Sequence, residues 1–310
     1  MILVTGAGGF VGSSLCRRLL AQGERVAGLW HRDHRRLNQI VEFSGFHLVQ
    51  GDIREPESWL RTLPEPVDTV LHLATQPPTP GDASLSMGEA DAERTTNVEG
   101  TAALLQAMAA HVDRWIVTSS MSVYDFLRPQ YLPVDEAHPT APQQAYGYEK
   151  LRAEELFSAA ADRGLRSISL RLAGLFGPGR EAGVVSAFLR RALEGEPIEI
   201  PTNRGVDILH VEDAVTALCL AYECLDTVCP QPGHRLLNIG RGQEITLEQL
   251  AQLACVSADR QVEIHNKGTG DTFYMDISAA IDDLGFAPSP LAQGLDDVVS
   301  WMRSGEEVVV

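Results

Sequence analysis

Tyr146 and Lys150 stand four residues apart in the run Tyr146-Gly147-Tyr148-Glu149-Lys150. On a helix that spacing stacks both side chains on one face. A phenol has an ordinary pKa of ~10, and a neighbouring ammonium favours its ionised form. Such a pair can take a proton from an alcohol or return one to a ketone. Upstream, the apolar run WIVTSS (115–120) ends at Ser120, whose hydroxyl could hold the reacting oxygen in place. Y-x-x-x-K pairs also arise by chance on many helices. Here only two of the 25 basic residues are lysines, Lys150 and Lys267, and one of them falls at this spacing.

A second constellation opens the chain. ILVTG (2–6) reads as a buried strand and runs into Gly6-Ala7-Gly8-Gly9-Phe10-Val11-Gly12, followed by a helical pattern over 11–22. Glycines at this spacing let backbone approach a pyrophosphate, and the helix N-terminus offers it free N–H groups. The bland alternative is a tight strand–helix turn with no ligand. The second strand, RVAGLW (25–30), ends where an NAD site places an acid for the ribose hydroxyls. Trp30 stands there instead, followed by His31, Arg32, Asp33, His34, Arg35 and Arg36. An arginine can pair with the 2′-phosphate of NADP. The loop therefore favours NADP, with His31 and Arg32 facing it, while Asp33 keeps NAD open.

These residues need elements to position them. HLVQGD (47–52), TVLHLAT (69–75) and SISLRLAG (167–174) are further strand candidates, and 95–111 and 146–163 are the strongest helices. Strands alternating with helices imply a mostly parallel sheet covered on both faces. After Gly174 the pattern loosens into short helices, turns and the strand candidates 236–240 and 262–266. The tail 305–310 is expected to fray.

Composition removes several function classes. The net charge is −17, and from Glu212 onward 16 acids face 5 bases. A nucleic-acid surface needs clustered positive charge. No apolar run reaches the ~18 residues of a membrane helix. MILVTGAGGF lacks the n- and h-regions of a signal peptide, so the cytoplasm is the expected location. The five cysteines (Cys16, Cys219, Cys224, Cys229, Cys255) form no C-x-x-C pair, and no metal site is expected.

With these residues in view, the chain resembles the extended short-chain dehydrogenases/reductases, in their NAD(P)-dependent sugar epimerase/dehydratase family. TGAGGFVG (5–12) is similar to the family's glycine loop, GDI (51–53) to its adenine site and HLAT (72–75) to the strand end beside the cofactor. TSSMSVY (118–124) and YGYEK (146–150) resemble its catalytic pair, and Asn97 its structural helix asparagine. RLAGLFGPG (171–179), DILHVEDAV (207–215) and NIG (238–240) resemble its later landmarks.

The resemblance implies an α/β fold, a Rossmann-like doubly wound parallel sheet with a smaller C-terminal substrate-binding part. Residues 1–174 would bind the dinucleotide and 175–310 mainly the substrate, with 206–215 and 235–240 returning to the first part. It also implies a cofactor site of Gly6, Gly9, Phe10, Val11, Gly12, His31, Arg32, Asp52, Ile53, Leu73, Ala74, Thr75, Tyr146 and Lys150. Ser120, Tyr146 and Lys150 would be catalytic. A homodimer through helices 95–111 and 146–163 is the family's usual assembly.

The reaction stays open at this point. Family dehydratases carry an Asp-Glu pair where this chain has Met121 and Ser122, and Met121 can neither give nor take a proton. An epimerase would oxidise a sugar hydroxyl, let the ketone turn and reduce it on the other face. A reductase would deliver hydride to a keto-sugar and release spent cofactor. A binding-only sensor is the third reading, disfavoured because Ser120, Tyr146 and Lys150 are all kept. Ser120, Met121 and Ser122 would line the substrate. The family's diphosphate arginines are replaced by Val206 and Gly268, which leaves Arg204 and Lys267 as substitutes, Arg204 being the better phosphate ligand.

Overall fold

The computed structural model describes residues 1–76 and 95–305. The tail 306–310 lies outside the described residues.

Thirteen strands are described: β1 (Ile2–Thr5), β2 (Val26–Trp30), β3 (Phe46–Gln50), β4 (Thr69–His72), β5 (Arg114–Ser120), β6 (Arg166–Leu172), β7 (Gly174–Phe176), β8 (Ile198–Ile200), β9 (Gly205–Val206), β10 (Ile208–His210), β11 (Gly233–Ile239), β12 (Ile245–Thr246) and β13 (Ile264–Asn266). The α-helices are α1 (Phe10–Ala21), α2 (Thr101–Met108), α3 (Ala145–Ala161), α4 (Val184–Glu194), α5 (Val211–Val228), α6 (Leu247–Ala258), α7 (Ser278–Leu284) and α8 (Leu291–Ser304).

Seven strands form one parallel sheet in the order β11-β6-β5-β4-β1-β2-β3. The order reverses between β1 and β4, where Val4 is flanked by Gly28 on one side and Leu71 on the other. Crevices at such reversals, outside the carboxyl ends of the strands, are where parallel sheets bind ligands. Every β1 side chain is buried. Ile2 and Val4 pack into a core shared with Leu15 and Leu19 of α1 and Leu218 of α5. Leu3 faces the opposite core, with Leu105, Trp115 and Phe157. Both faces are covered, which is why the strands read as unbroken apolar runs.

The strand expected over 167–174 breaks at Ala173. There β6 ends, and β7 leaves the main sheet to pair with β10. The helix expected over 95–111 opens instead as a π turn, Thr95–Gly100, before α2 begins. Single π turns are frequent at functional sites. A third core, built from α4, α6 and α8 around Leu189, Leu250 and Leu295, organises the C-terminal part. No helix among the described residues is long and apolar enough to cross a membrane.

Candidate active site

The glycine loop sits at the carboxyl end of β1, at the reversal point. Three of its glycines admit no side chain. A Cβ at Gly6 (φ +70°) would lie 2.8 Å from Ala74 N, one at Gly8 2.1 Å from Asp33 O, and one at Gly12 2.2 Å from Gly6 O. Gly8 is missing from the predicted cofactor residues, although it is the glycine that lets the 31–36 loop close over the turn. Gly9 caps α1 without a side-chain hydrogen bond, so the first N–H groups of Phe10, Val11 and Gly12 are left for a ligand. This cradle fits a dinucleotide pyrophosphate.

The floor is tied together by Thr5. Its Oγ1 accepts from the N–H groups of Leu73 (3.2 Å) and Ala74 (3.1 Å) and meets His72 Nδ1 at 2.8 Å. His72 Nε2 lies 2.9 Å from Thr101 Oγ1. Burial, aided by the Lys150 charge, pushes the His72 pKa down to about 3, so the ring is neutral. Asn97 works from the π turn. Its Oδ1 accepts from Thr75 Oγ1 (3.0 Å) and Gln76 N (2.6 Å), and its Nδ2 donates to Glu149 Oε2 (2.8 Å). That side chain joins the end of β4 to α3.

The ribose end differs from expectation in detail. Arg32 is exposed and donates to Gln76 Oε1 at 3.3 Å. The Asp33 carboxylate is gripped by Arg35 (2.6–3.1 Å). Asp52 is engaged by the Arg54 side chain and backbone N–H, with His31 Nδ1 3.6 Å away. Ile53 is buried and would touch a Cβ at Gly100.

Ser120 ends β5 and caps a short turn, Met121–Val123, its Oγ accepting from Ser122 N at 3.1 Å. The same hydroxyl lies 3.2 Å from Ser122 Oγ, and the Ser120 side chain acts to lower the Tyr146 pKa. Met121 packs against the core. Lys150, 6% exposed, donates from Nζ to Thr118 O at 2.9 Å, with Nζ 5.7 Å from the Tyr146 ring centroid. Burial lowers the Lys150 pKa to about 8 against the pull of Glu149 and Glu154. Burial raises that of Tyr146 to about 12, opposed first by the charge of Arg180. Ser120, Tyr146 and Lys150 thus lie together, and Arg180, which the sequence reading did not single out, also acts to lower the phenol's pKa.

A buried network fixes α3 beneath them. Arg171 donates to both oxygens of Glu154 (2.9 and 2.7 Å), and Ser119 Oγ donates to Oε1 at 2.5 Å. Arg171 also donates to Tyr124 OH (2.6 Å), which donates to Asn238 Oδ1 (2.9 Å). The network links β5, β6 and β11 to the helix that carries Tyr146.

The two candidate phosphate ligands separate. Lys267 is exposed and paired with Glu199 at 2.6 Å, which removes the reason sequence offered for it. Arg204 is half-buried, packs near Gly270, and its guanidinium has no ion-pair partner among the described residues. Residues 268–270 bond back to Asn203, beside it.

A family model described as NAD dependent epimerase/dehydratase matches residues 2–240. A 2-alkyl-3-oxoalkanoate reductase of Stenotrophomonas maltophilia is 31% identical over 84% of this chain and 76% of its own. Two solved structures each cover 99% of both chains. One is a UDP-glucose 4-epimerase of Thermotoga maritima with UDP-glucose (27% identity, TM-score 0.81). The other is MoeE5 in complex with UDP-glucose and NAD (28%, 0.78).

Proposed function

The chain belongs to the NAD dependent epimerase/dehydratase family, as an NAD(P)-dependent enzyme, and we propose that it epimerises a UDP-hexose at C4. The observation that carries the reading is Ser120, Tyr146 and Lys150 gathered beside the glycine cradle. Relatives of similar length that act on or bind UDP-glucose support the substrate class.

When bound, the nicotinamide accepts and returns a hydride. The protein's own share is positioning and proton movement. Ser120 Oγ, fixed by the Ser122 turn, holds the substrate oxygen. Tyr146 takes the hydroxyl proton as the alcohol becomes a ketone and gives it back when the ketone is reduced. Lys150, tied to Thr118 O, keeps positive charge beside the phenol ring. Met121 beside Ser120 supplies no acid or base, so loss of water has no proton donor there. Arg204 is assigned to the substrate diphosphate, since its charge is unspent. NAD is assigned as the resident cofactor, as in the MoeE5 complex. Residues 1–174 with the returning β11 are assigned to the dinucleotide half, and α3 to a homodimer contact through its exposed face at Tyr148.

The test is incubation with UDP-glucose and NAD and no reductant. The C4 epimer should accumulate to equilibrium without net reduction of the cofactor. NADPH oxidation in step with loss of a keto substrate, with no epimer formed, would instead make the protein a reductase like the Stenotrophomonas relative.

A further inference from the structure

The buried ion pair beneath the site takes no part in moving the proton, yet it touches both ends of the turn that carries Ser120. Glu154 stands one helical turn beyond Lys150 on α3, so Tyr146, Lys150 and Glu154 share one helix face at intervals of four residues. Its Oε1 accepts from Ser119 Oγ at 2.5 Å, on the residue just before Ser120. Arg171 of β6 grips both Glu154 oxygens, at 2.9 and 2.7 Å, and its Nη1 donates to Tyr124 OH at 2.6 Å. Tyr124 follows the turn Met121–Val123 and closes it, its N–H donating to Met121 O at 3.0 Å. One carboxylate–guanidinium pair therefore holds the segment from Ser120 to Val123 at both ends and ties it to the helix that carries Tyr146.

Stability alone gives such a pair little reason to exist. Glu154 and Arg171 are 4% and 2% exposed, and Ser119 and Tyr124 are buried with them. The attraction of a buried ion pair is largely offset by the cost of withdrawing its charges from water, and an apolar pair of like volume often serves a fold as well. What apolar packing does not supply is direction. Bidentate, charge-assisted hydrogen bonds fix angles as well as distances. Lys150 Nζ, on Thr118 O, already docks α3 on β5 by itself. The added contacts of the pair go to Ser119 and Tyr124, the two residues that bracket the turn.

We propose that Glu154 and Arg171 are positioning residues of the catalytic centre: acting through Ser119 and Tyr124, they clamp both ends of the Ser120 turn and so aim the Ser120 hydroxyl at the place where Tyr146 exchanges its proton. The proposal rests on the reading of Ser120 and Tyr146 as catalytic residues.

The experiment replaces the pair by apolar residues of similar volume, Glu154→Leu with Arg171→Met, in the NAD-loaded protein. Hydrogen exchange reads the turn without substrate. The N–H groups of Ser122 and Tyr124, which bond to Ser120 Oγ and Met121 O, should exchange at least about tenfold faster than in the natural chain, while those of β1 keep their rates. Turnover reads the consequence: kcat should fall by at least about tenfold, with KM and dinucleotide Kd changed less than about threefold. In a Ser120→Ala background the same double replacement should change kcat by less than about twofold, because the group it aims is gone. A loss caused by general loosening would persist there. Ser119→Ala with Tyr124→Phe, which frees both ends of the turn and leaves the ion pair in place, repeats every measurement if the apolar pair does not fold. Unchanged exchange at Ser122 and Tyr124, an unchanged kcat, or an undiminished kcat loss in the Ser120→Ala background would overturn the proposal. If the natural chain turns over no UDP-hexose, the substrate reading fails and the exchange rates alone decide the proposal.

Discussion

Gly147 is pressed against the backbone of Ser122, so that a Cβ on it would lie 2.1 Å from the Ser122 carbonyl oxygen and 3.0 Å from Pro142 Cβ. The residue after Tyr146 is therefore glycine for a steric reason. It lets the first turn of α3 dock on the turn that follows Ser120, and that docking sets the distance between the two hydroxyls.

Gly147→Ala should separate Tyr146 from Ser120, since backbone cannot yield as a flexible side chain does. A displacement of about 1 Å can cost on the order of 100-fold in rate. Steady-state kinetics should show kcat down by at least about tenfold, with NAD Kd little changed. Unaltered kcat would mean the contact does not set the geometry.

Arg32 is exposed in the loop after β2, where the ribose end is expected, and donates to Gln76 Oε1. Arg32→Ala should weaken NADP by about tenfold, the loss of a charge-assisted hydrogen bond of ~1.5–3 kcal/mol at its lower end. NAD should bind within about twofold of its original affinity. Equal losses, measured by calorimetric titration with each dinucleotide, would remove Arg32 from phosphate recognition.

Arg204→Ala should raise KM for a UDP-hexose by about 10- to 100-fold, on the same scale for a charged phosphate contact. Lys267→Ala should leave KM unchanged, because that ammonium is already spent on Glu199. The pair of measurements decides which cation reaches the substrate.

His72 gives a pH signature. Its pKa falls from 6.5 in the unfolded chain to about 3 in the fold, first because it is buried. As the pH drops below 6.5, the unfolded state gains a proton that the folded state refuses. The stability that neutral His72 carries is full above pH 6.5 and is lost progressively toward pH 3. The slope of Tm against pH over that window should be shallower in His72→Asn than in the natural chain. Identical slopes would show that other groups dominate the acid limb.

Local features were legible in the sequence. The glycine loop follows a strand and opens a helix within a dozen residues, and Tyr146 and Lys150 share a helix face by spacing alone. What escaped depends on packing between distant segments. Arg180 comes to lie on Phe10 because a turn 34 positions after Tyr146 is pinned by Arg36, and Gly147 matters because of a carbonyl 25 positions earlier. The helix expected over 95–111 opens as a π turn in which Asn97 bonds to Gln76 and Glu149, and apolar periodicity does not record that. Lys267 looked meaningful because it stands beside Gly268, where the family carries a diphosphate arginine, but its place in the sequence carries no information about which carboxylate lies nearby.

The most direct measurement is the fate of the hydrogen on the reacting carbon. UDP-glucose carrying deuterium at C4 is converted by the protein in ordinary water, with Tyr146→Phe as the control that should turn over at least about 100-fold more slowly. If Tyr146 moves only the hydroxyl proton while hydride leaves and returns within the site, the epimer keeps its deuterium. Loss of that deuterium to solvent, or unimpaired turnover by Tyr146→Phe, would contradict the assignment of Ser120, Tyr146 and Lys150 as the catalytic group.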